Sequence, residues 1–302
     1  MKIKYSILLI CLLFFTCKKD PPLTNQTSVQ QCNDTTHYRV GDTLYNNPRF
    51  NPNNPNEIIY TQGIQSQQIT RLVKRNLLTG HETFIISDVW GRPDWSIKDW
   101  IVFNHADNHI WKIKSNGDSL QQLTTHEGLE SIWNKSGTQI EYWFQTGQTA
   151  YSCYNFITDN NGNIIDTLFY PFLAHFGAWS WDNTKIVSYC YTYDVGYIDL
   201  ATKQMTKVTN NPPDNSGQGN NIINDIDWLP NSQNIIWANG EGLFNTDITT
   251  KKTTLLKTTC SGRYYTALSV SPDGKKIIAQ RLDILSGLCL MDIDGKNEII
   301  IK

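Results

Sequence analysis

The sequence predicts an all-β fold, a six-bladed β-propeller with four antiparallel strands per blade. Three observations predict it. First, "SVSPDGKKIIAQ", residues 269–280, reads as an alternating run, a Ser-Pro-Asp-Gly turn and a second β-like run. Pro272 presets φ at the second turn position and Gly274 suits the fourth. Second, this hairpin recurs along the chain. Third, no long segment carries a 3.6-residue apolar period. Ten Trp and fourteen Tyr against three Met favour strands over helices.

The recurrence is set by a bulky residue before the turn and an apolar residue seven positions later. "VSPDGKKII" from Val270 matches "WLPNSQNII" from Trp228, "WSWDNTKIV" from Trp179 and "WNKSGTQIE" from Trp133. "WSIKDWIV" from Trp95 is one residue shorter and "FNPNNPNEII" from Phe50 one residue longer. The anchors Phe50, Trp95, Trp133, Trp179, Trp228 and Val270 are spaced by 45, 38, 46, 49 and 42 residues. That period belongs to propellers and solenoid arrays.

Each unit then adds a third run, such as "HIWKIKSNGD" or "GLFNTDITTK", and a fourth, such as "SLQQLT" or "TTLLKTT". Four strands make one propeller blade, whereas a solenoid repeat carries one or two strands or a helix. The predicted blades span about 48–88, 91–125, 129–171, 176–211, 223–259 and 265–302. A lone four-stranded sheet cannot bury both faces; radially packed sheets cover one another. The anchors are therefore expected to be core wedges. "HYRVGDTLY", residues 37–45, is expected to add an outer strand to blade six and latch the ring, or to lie over one mouth.

The N-terminus reads separately. "MKIKYSILLICLLFFTC", residues 1–17, has a charged start and an apolar run from Ile7 to Phe15, as in an export signal. It resembles a bacterial lipoprotein signal, with Phe14-Phe15-Thr16-Cys17 as the lipobox and Cys17 as the lipidated residue. A plain secretory signal or an uncleaved anchor is the alternative. Residues 18–36 are polar and Pro-containing and read as a flexible tether, with the propeller at 37–302. Removing residues 1–17 takes away Lys2 and Lys4, so 24 basic residues face 28 acidic ones. A mildly acidic body without a basic tract argues against nucleic acid. Five cysteines remain, Cys32, Cys153, Cys190, Cys260 and Cys289. The odd number leaves at least one thiol free, and no C-x-x-C pair suggests zinc.

The "SPDGKKI" unit and its degenerate copies resemble the WD40-like repeat of TolB-type six-bladed propellers, over about residues 45–302. The resemblance implies an envelope protein that binds other envelope proteins. The expected partner is an envelope protein or peptide segment, and contact with the membrane is through the lipid only. The expected location is the cell envelope, on the outer membrane, facing the periplasm or the cell surface. The chain is read as a monomer or part of a hetero-complex.

No G-x-S-x-G elbow, phosphate loop or dinucleotide fingerprint is present, and no cofactor is implied. "HEGLE", residues 126–130, lacks the second His of a zincin. His105, Asp107 and His109 share one predicted hairpin, which either chelates a metal or is a solvated turn. "DNNGN", residues 159–163, reads as a hairpin turn before a calcium loop. The segments leading into the inner strands supply the candidate ligand-binding or partner-binding residues of a channel mouth: Arg92, His126, Glu130, His175, Asn224, Asp225, Arg263 and Tyr265. Scaffolding or protein binding is the first reading. The alternative is a glycan-binding protein or metal-dependent lyase using His126 and His175, with Trp90, Trp100, Trp111, Trp143 or Trp237 stacking on sugars.

Overall fold

The computed structural model describes residues 43–145, 153–169, 177–190, 194–211, 222–259, 264–282 and 286–302. The signal, the tether and Cys17 lie outside them. The described residues form six four-stranded antiparallel sheets, each built from consecutive strands. Blade 1 holds β1 (Thr43–Asn51), β2 (Asn54–Ile64), β3 (Ile69–Asn76) and β4 (Glu82–Ser87). Blade 2 holds β5 (Val89–Trp95), β6 (Trp100–His105), β7 (Ile110–Lys114) and β8 (Gln121–Gln122). Blade 3 holds β9 (Leu129–Trp133), β10 (Gln139–Gln145), β11 (Cys153–Asp159) and β12 (Ile164–Phe169). Blade 4 holds β13 (Ala178–Trp179), β14 (Lys185–Cys190), β15 (Asp194–Asp199) and β16 (Gln204–Lys207). Blade 5 holds β17 (Asp225–Trp228), β18 (Asn234–Ala238), β19 (Gly242–Asp247) and β20 (Thr253–Thr258). Blade 6 holds β21 (Tyr264–Val270), β22 (Lys276–Leu282), β23 (Ser286–Asp292) and β24 (Ile299–Ile300). The first strands touch one another in turn, β1 to β5, β9, β13, β17, β21 and back to β1, and so enclose a central channel.

The repeat seen in the sequence is the pairing register itself. Trp133, Trp179, Trp228 and Val270 pair with Ile140, Ile186, Ile235 and Ile277, seven positions on. Trp95 pairs with Ile101, one position sooner, and Phe50 with Ile58, one later. The turn between them is equally regular. In blades 2 to 6 the amide four residues past the anchor donates to the carbonyl one residue past it, as in Gly274 to Ser271 and Asn183 to Ser180. That donor has positive φ each time, at Asp99, Gly137, Asn183, Ser232 and Gly274. Gly, Asn, Asp and Ser occupy the position because they tolerate the left-handed region or bond locally to their own backbone.

The core is divided into six parts, one at each seam between neighbouring sheets. Six apolar clusters each hold one anchor: Trp95 between blades 1 and 2, Trp133 between 2 and 3, Trp179 between 3 and 4. Trp228 lies between blades 4 and 5, Val270 between 5 and 6, and Phe50 between 6 and 1. All six anchors are buried. The second strands serve two seams at once. Ile235 and Trp237 point to one cluster while Ile236 and Ala238 point to the next. Sheets covered on both faces require such continuous apolar runs.

Ring closure uses no shared strand among the described residues. Thr43–Tyr45 begin the innermost strand of blade 1, paired with Ile64–Gln62, and do not extend blade 6. Residues 37–42 of the expected latch lie outside the described residues. The first and last blades meet through the Phe50, Tyr60, Ile278 and Leu288 cluster. Gln280 donates to Asn46 at 2.7 Å, Arg49 to the Leu268 carbonyl at 2.7 Å, and Lys302 sits 2.7 Å from Glu82. Cys289 is a free thiol buried between blades 5 and 6, and burial raises its pKa.

Candidate functional site

Strand alternation separates each anchor from the residue before it. Each anchor turns into one seam, so the residue before it turns to the other face of its sheet, toward the next blade, where Ile132 and Ala178 join the apolar clusters. Those six residues are Arg49, Asp94, Ile132, Ala178, Asp227 and Ser269, and all six line one open cavity. The cavity measures about 610 Å³, counting the solvent in its mouth. Its rim comes from the residue two past the anchor: Pro52, Ile97, Lys135, Trp181 and Pro272. The cavity therefore opens at the end where the inner strands finish.

Its floor is a salt bridge. Arg92 and Asp225 stand two positions deeper on the inner strands of blades 2 and 5, which face each other across a ring of six. Arg92 Nη1 is 2.9 Å from Asp225 Oδ1, and Arg49 Nη2 is 3.7 Å from Asp225 Oδ2. All three side chains are buried. Burial pushes the Asp225 carboxyl up and the Arg92 guanidinium opposes that shift. The ion pair ties opposite sides of the ring together and closes the channel at this level.

Three of these cavity-lining side chains also clasp the seams. Asp94 Oδ2 accepts the Trp133 amide of blade 3 at 2.7 Å. Asp227 Oδ2 accepts the Val270 amide of blade 6 at 2.9 Å. The Ser269 hydroxyl accepts the Phe50 amide of blade 1 at 3.4 Å. In each case the side chain before one anchor receives the amide of the next anchor round the ring. Burial raises the Asp94 carboxyl from 3.8 to about 6, with Lys135 and Arg92 opposing. Behind the wall, burial pushes Glu141 up to about 7, with Asn155 Nδ2 donating at 2.5 Å and the charge of Glu130 adding to the shift. Glu130 takes φ +50° at the start of its strand, where its amide donates to Asn104 Oδ1 at 3.0 Å.

Among the residues singled out from sequence, Arg92, Asp225 and Glu130 gather in this channel. The others have different neighbours. His126 Nε2 is 2.9 Å from the Tyr142 hydroxyl, and its ring lies against Phe144 and Phe156 of blade 3. Tyr265 is buried between blades 5 and 6 and donates to Glu298 at 3.0 Å. The Asn224 carbonyl accepts the Thr266 hydroxyl at 3.3 Å. His175 and Arg263 lie outside the described residues. His105 and His109 each place Nδ1 3.4 Å from Asp107, within the β6–β7 hairpin. Among the described residues no group of three or more His, Cys, Asp or Glu is set to hold a metal. Trp143 and Trp237 are buried, Trp100 and Trp111 half-buried, and Trp90 is 62% exposed at the start of β5.

Sequence reading missed Arg49, Asp94, Asp227, Lys135 and Trp181. The signal was present in the repeat: position −1 from each anchor lines the cavity, and position +2 forms the rim in every blade but the fifth.

Six four-stranded sheets around a blind, charged channel define a six-bladed β-propeller. Its fold is TolB-like: TolB from Acinetobacter baumannii has a TM-score of 0.62 at 13% identity, over 85% of this chain and 63% of that one. The chain thus spans less than two thirds of that protein's length. The propeller domain of the Trilobed protease from Pyrococcus furiosus, described as having an open velcro topology, gives 0.57 at 12% identity over 87% of this chain and 98% of that one. A chain from a nidogen/laminin complex gives 0.54 at 10% identity, over 70% and 79%. At these identities the likeness is one of fold. No family model and no curated protein matches the sequence. Among the described residues no helix is long and apolar enough to cross a membrane.

Proposed function

We propose that the chain is a non-catalytic, protein-binding propeller of the cell envelope, held to a membrane by lipid on Cys17, with residues 1–17 as signal and 18–36 as tether. Its cavity receives a short extended segment or loop of another envelope protein. The observation that carries this reading is the blind cavity itself. Charged groups, prolines and indoles ring its wall and rim, and the Arg92–Asp225 pair closes its floor. A guest therefore docks by an end or a bend and does not thread through. Rigid scaffolds presenting such a mouth suit recognition of short segments, where a few fixed polar groups set orientation and apolar walls add affinity.

The test is site-specific photocrosslinking in envelope extracts with the anchor intact. A photoreactive residue at Pro272 on the rim is expected to trap a partner, and one at the exposed outer strand position Thr254 is not. Equal labelling from both positions, or from neither, would overturn the reading. Cys17→Ser is expected to move the protein out of the membrane fraction. Retention there would exclude the lipid anchor.

A further inference from the structure

The rim carries one charged side chain, and that side chain is folded into the cavity wall. Lys135 Nζ lies 5.2 Å from the Trp181 ring centroid and 3.9 Å from Asp227 Oδ1. Its charge also acts on Asp94 of the adjoining blade. Lys135, Trp181, Asp94 and Asp227 come from the turns and inner strands of blades 3, 4, 2 and 5. An indole face from blade 4 and a carboxylate from blade 5 therefore meet one ammonium group of blade 3, and the Asp94 carboxyl of blade 2 feels its charge. This is the chemistry of a cation cage: the ring quadrupole and the carboxylate charge both favour a positive occupant.

The surroundings keep that preference when the lysine is elsewhere. In and just behind the channel wall, the carboxyl groups of Asp94, Glu130, Glu141, Asp225 and Asp227 face Arg49, Arg92 and Lys135. Arg49 is committed to the Pro48 and Leu268 carbonyls and to Asp225, and Arg92 to Asp225. With Lys135 swung out, the remaining carboxyls outnumber the two buried guanidinium groups, even with two of them protonated. The Lys135 side chain is partly exposed, so it can leave toward solvent on its flexible stem. A second, independent feature sits beside the cage. Trp133 and Trp179 line the same cavity, both almost wholly buried, and their indole N–H groups have no hydrogen-bond partner. Buried donors of this kind are normally satisfied.

We infer that the mouth reads a lysine or arginine side chain borne on an extended segment of the partner, and that Lys135 is an internal stand-in which the partner's cation displaces. The inference rests on the reading that this cavity receives a partner segment, and it names that segment's chemistry. Lys135 then acts as a competitor. Removing it makes the cage more available, while removing Trp181 or the Asp227 charge weakens the cage itself.

The experiment uses the full chain and four capped pentapeptides, Gly-Gly-X-Gly-Gly with X as lysine, arginine, norleucine or glutamate. Binding is read by calorimetry and by tryptophan fluorescence. The lysine and arginine peptides are expected to bind more tightly than the norleucine peptide by roughly threefold to thirtyfold, the range a cation–aromatic contact supports. Lys135→Ala is expected to tighten the basic peptides by a similar factor and leave the norleucine peptide unchanged. Trp181→Leu and Asp227→Asn are expected to erase the preference for basic peptides, with thermal melts confirming that each variant is folded. Lys135→Ala sits at a solvent-facing turn, so its result stands even where Asp227→Asn fails to fold. Basic peptides that bind Lys135→Ala no better than the parent would overturn the inference, as would equal or tighter binding of the glutamate peptide, or no binding by any peptide. The photocrosslink from Pro272 separates the two failures. A trapped partner whose segment in the cavity is neutral or acidic sinks the cation preference and keeps the docking mouth. No trapped partner sinks both.

Discussion

The two halves of the channel wall use one repeat position in opposite ways. In blades 1, 2, 5 and 6 the residue before the anchor is polar: Arg49, Asp94, Asp227 and Ser269. In blades 3 and 4 it is Ile132 and Ala178, with Trp181 beside them. The polar half clasps its seams by hydrogen bonds from the next anchor's amide. The apolar half has no such clasp; the Ala178 carbonyl accepts the Trp228 indole N–H, and at the turns Asn183 Oδ1 accepts the Ser136 amide and the Ser232 hydroxyl accepts the Asp182 amide. The anchors themselves are all large apolar residues except Val270, and all are buried. Position −1 thus carries either a polar clasp or an apolar side chain packed in the next seam, as Ile132 and Ala178 are, while the anchor is apolar in all six blades. The result is a cavity with a charged side and an aromatic side.

Breaking the floor should have the largest effect. Asp225→Ala takes from buried Arg92 and Arg49 the carboxyl they share, leaving Asp94 and Glu141 to face the Arg92 charge, and breaking such a buried pair costs about 3–5 kcal/mol. Trp228→Ala in the apolar half should cost a similar amount, about 3–5 kcal/mol, through the cavity it opens between blades 4 and 5. Urea unfolding with unchanged slope would read both. A loss below about 1 kcal/mol for Asp225→Ala would show that the cross-axis tie adds no net stability.

Breaking a clasp should cost less. Asp227→Ala strands the buried Val270 amide, for a loss of about 1–3 kcal/mol. Ile132→Val, at the same position in the apolar half, should cost about 0.5–1.5 kcal/mol. An equal loss at both sites would erase the distinction between the halves.

The clasp at Asp94 sharpens the comparison through pH. Its carboxyl is raised from 3.8 to about 6, mainly by burial. It therefore holds its proton more readily in the folded chain than in the unfolded one. Its contribution is full below about pH 4 and fades as pH rises through about 6, by up to about 3 kcal/mol. The exposed aspartates Asp182 and Asp273 and the half-buried Asp292 have lowered values and act in the opposite sense at more acidic pH. Asp94→Asn should make the fall in stability between pH 4 and 6 shallower, the raised carboxyls of Glu141 and Asp225 supplying what remains. An unchanged profile would assign the titration to other groups. The smallest effect is expected at the rim, where Lys135→Ala should shift stability by no more than about 0.5 kcal/mol.

The architecture was legible because the seam constrains sequence directly. A wedge, a tight turn and a paired apolar residue recur at offsets of six, seven and eight, and these offsets are the strand register. The site was legible only in part. Arg92, Glu130 and Asp225 were found as polar residues near the start of inner strands. Their partners across the axis belong to blades far away in sequence, and no local pattern announces that Arg92 meets Asp225. Histidine and tyrosine drew attention for their chemistry. The His126 ring and the Tyr265 hydroxyl are engaged by groups of their own blades, Tyr142 and Glu298. Which end of the channel opens also depended on that long-range pairing, because the ion pair fills one level and leaves the space beyond the anchors.

The junction between blades 6 and 1 has a mechanical consequence. Among the described residues no sheet there borrows a strand from its neighbour, so each of their backbone ladders begins and ends within one contiguous stretch of chain. Parting the ring at that place would cost side-chain contacts and leave all six ladders whole, as a split washer opens without breaking. Stress on the assembled body should concentrate at this slit, and a covalent staple across it would turn the washer into a closed hoop.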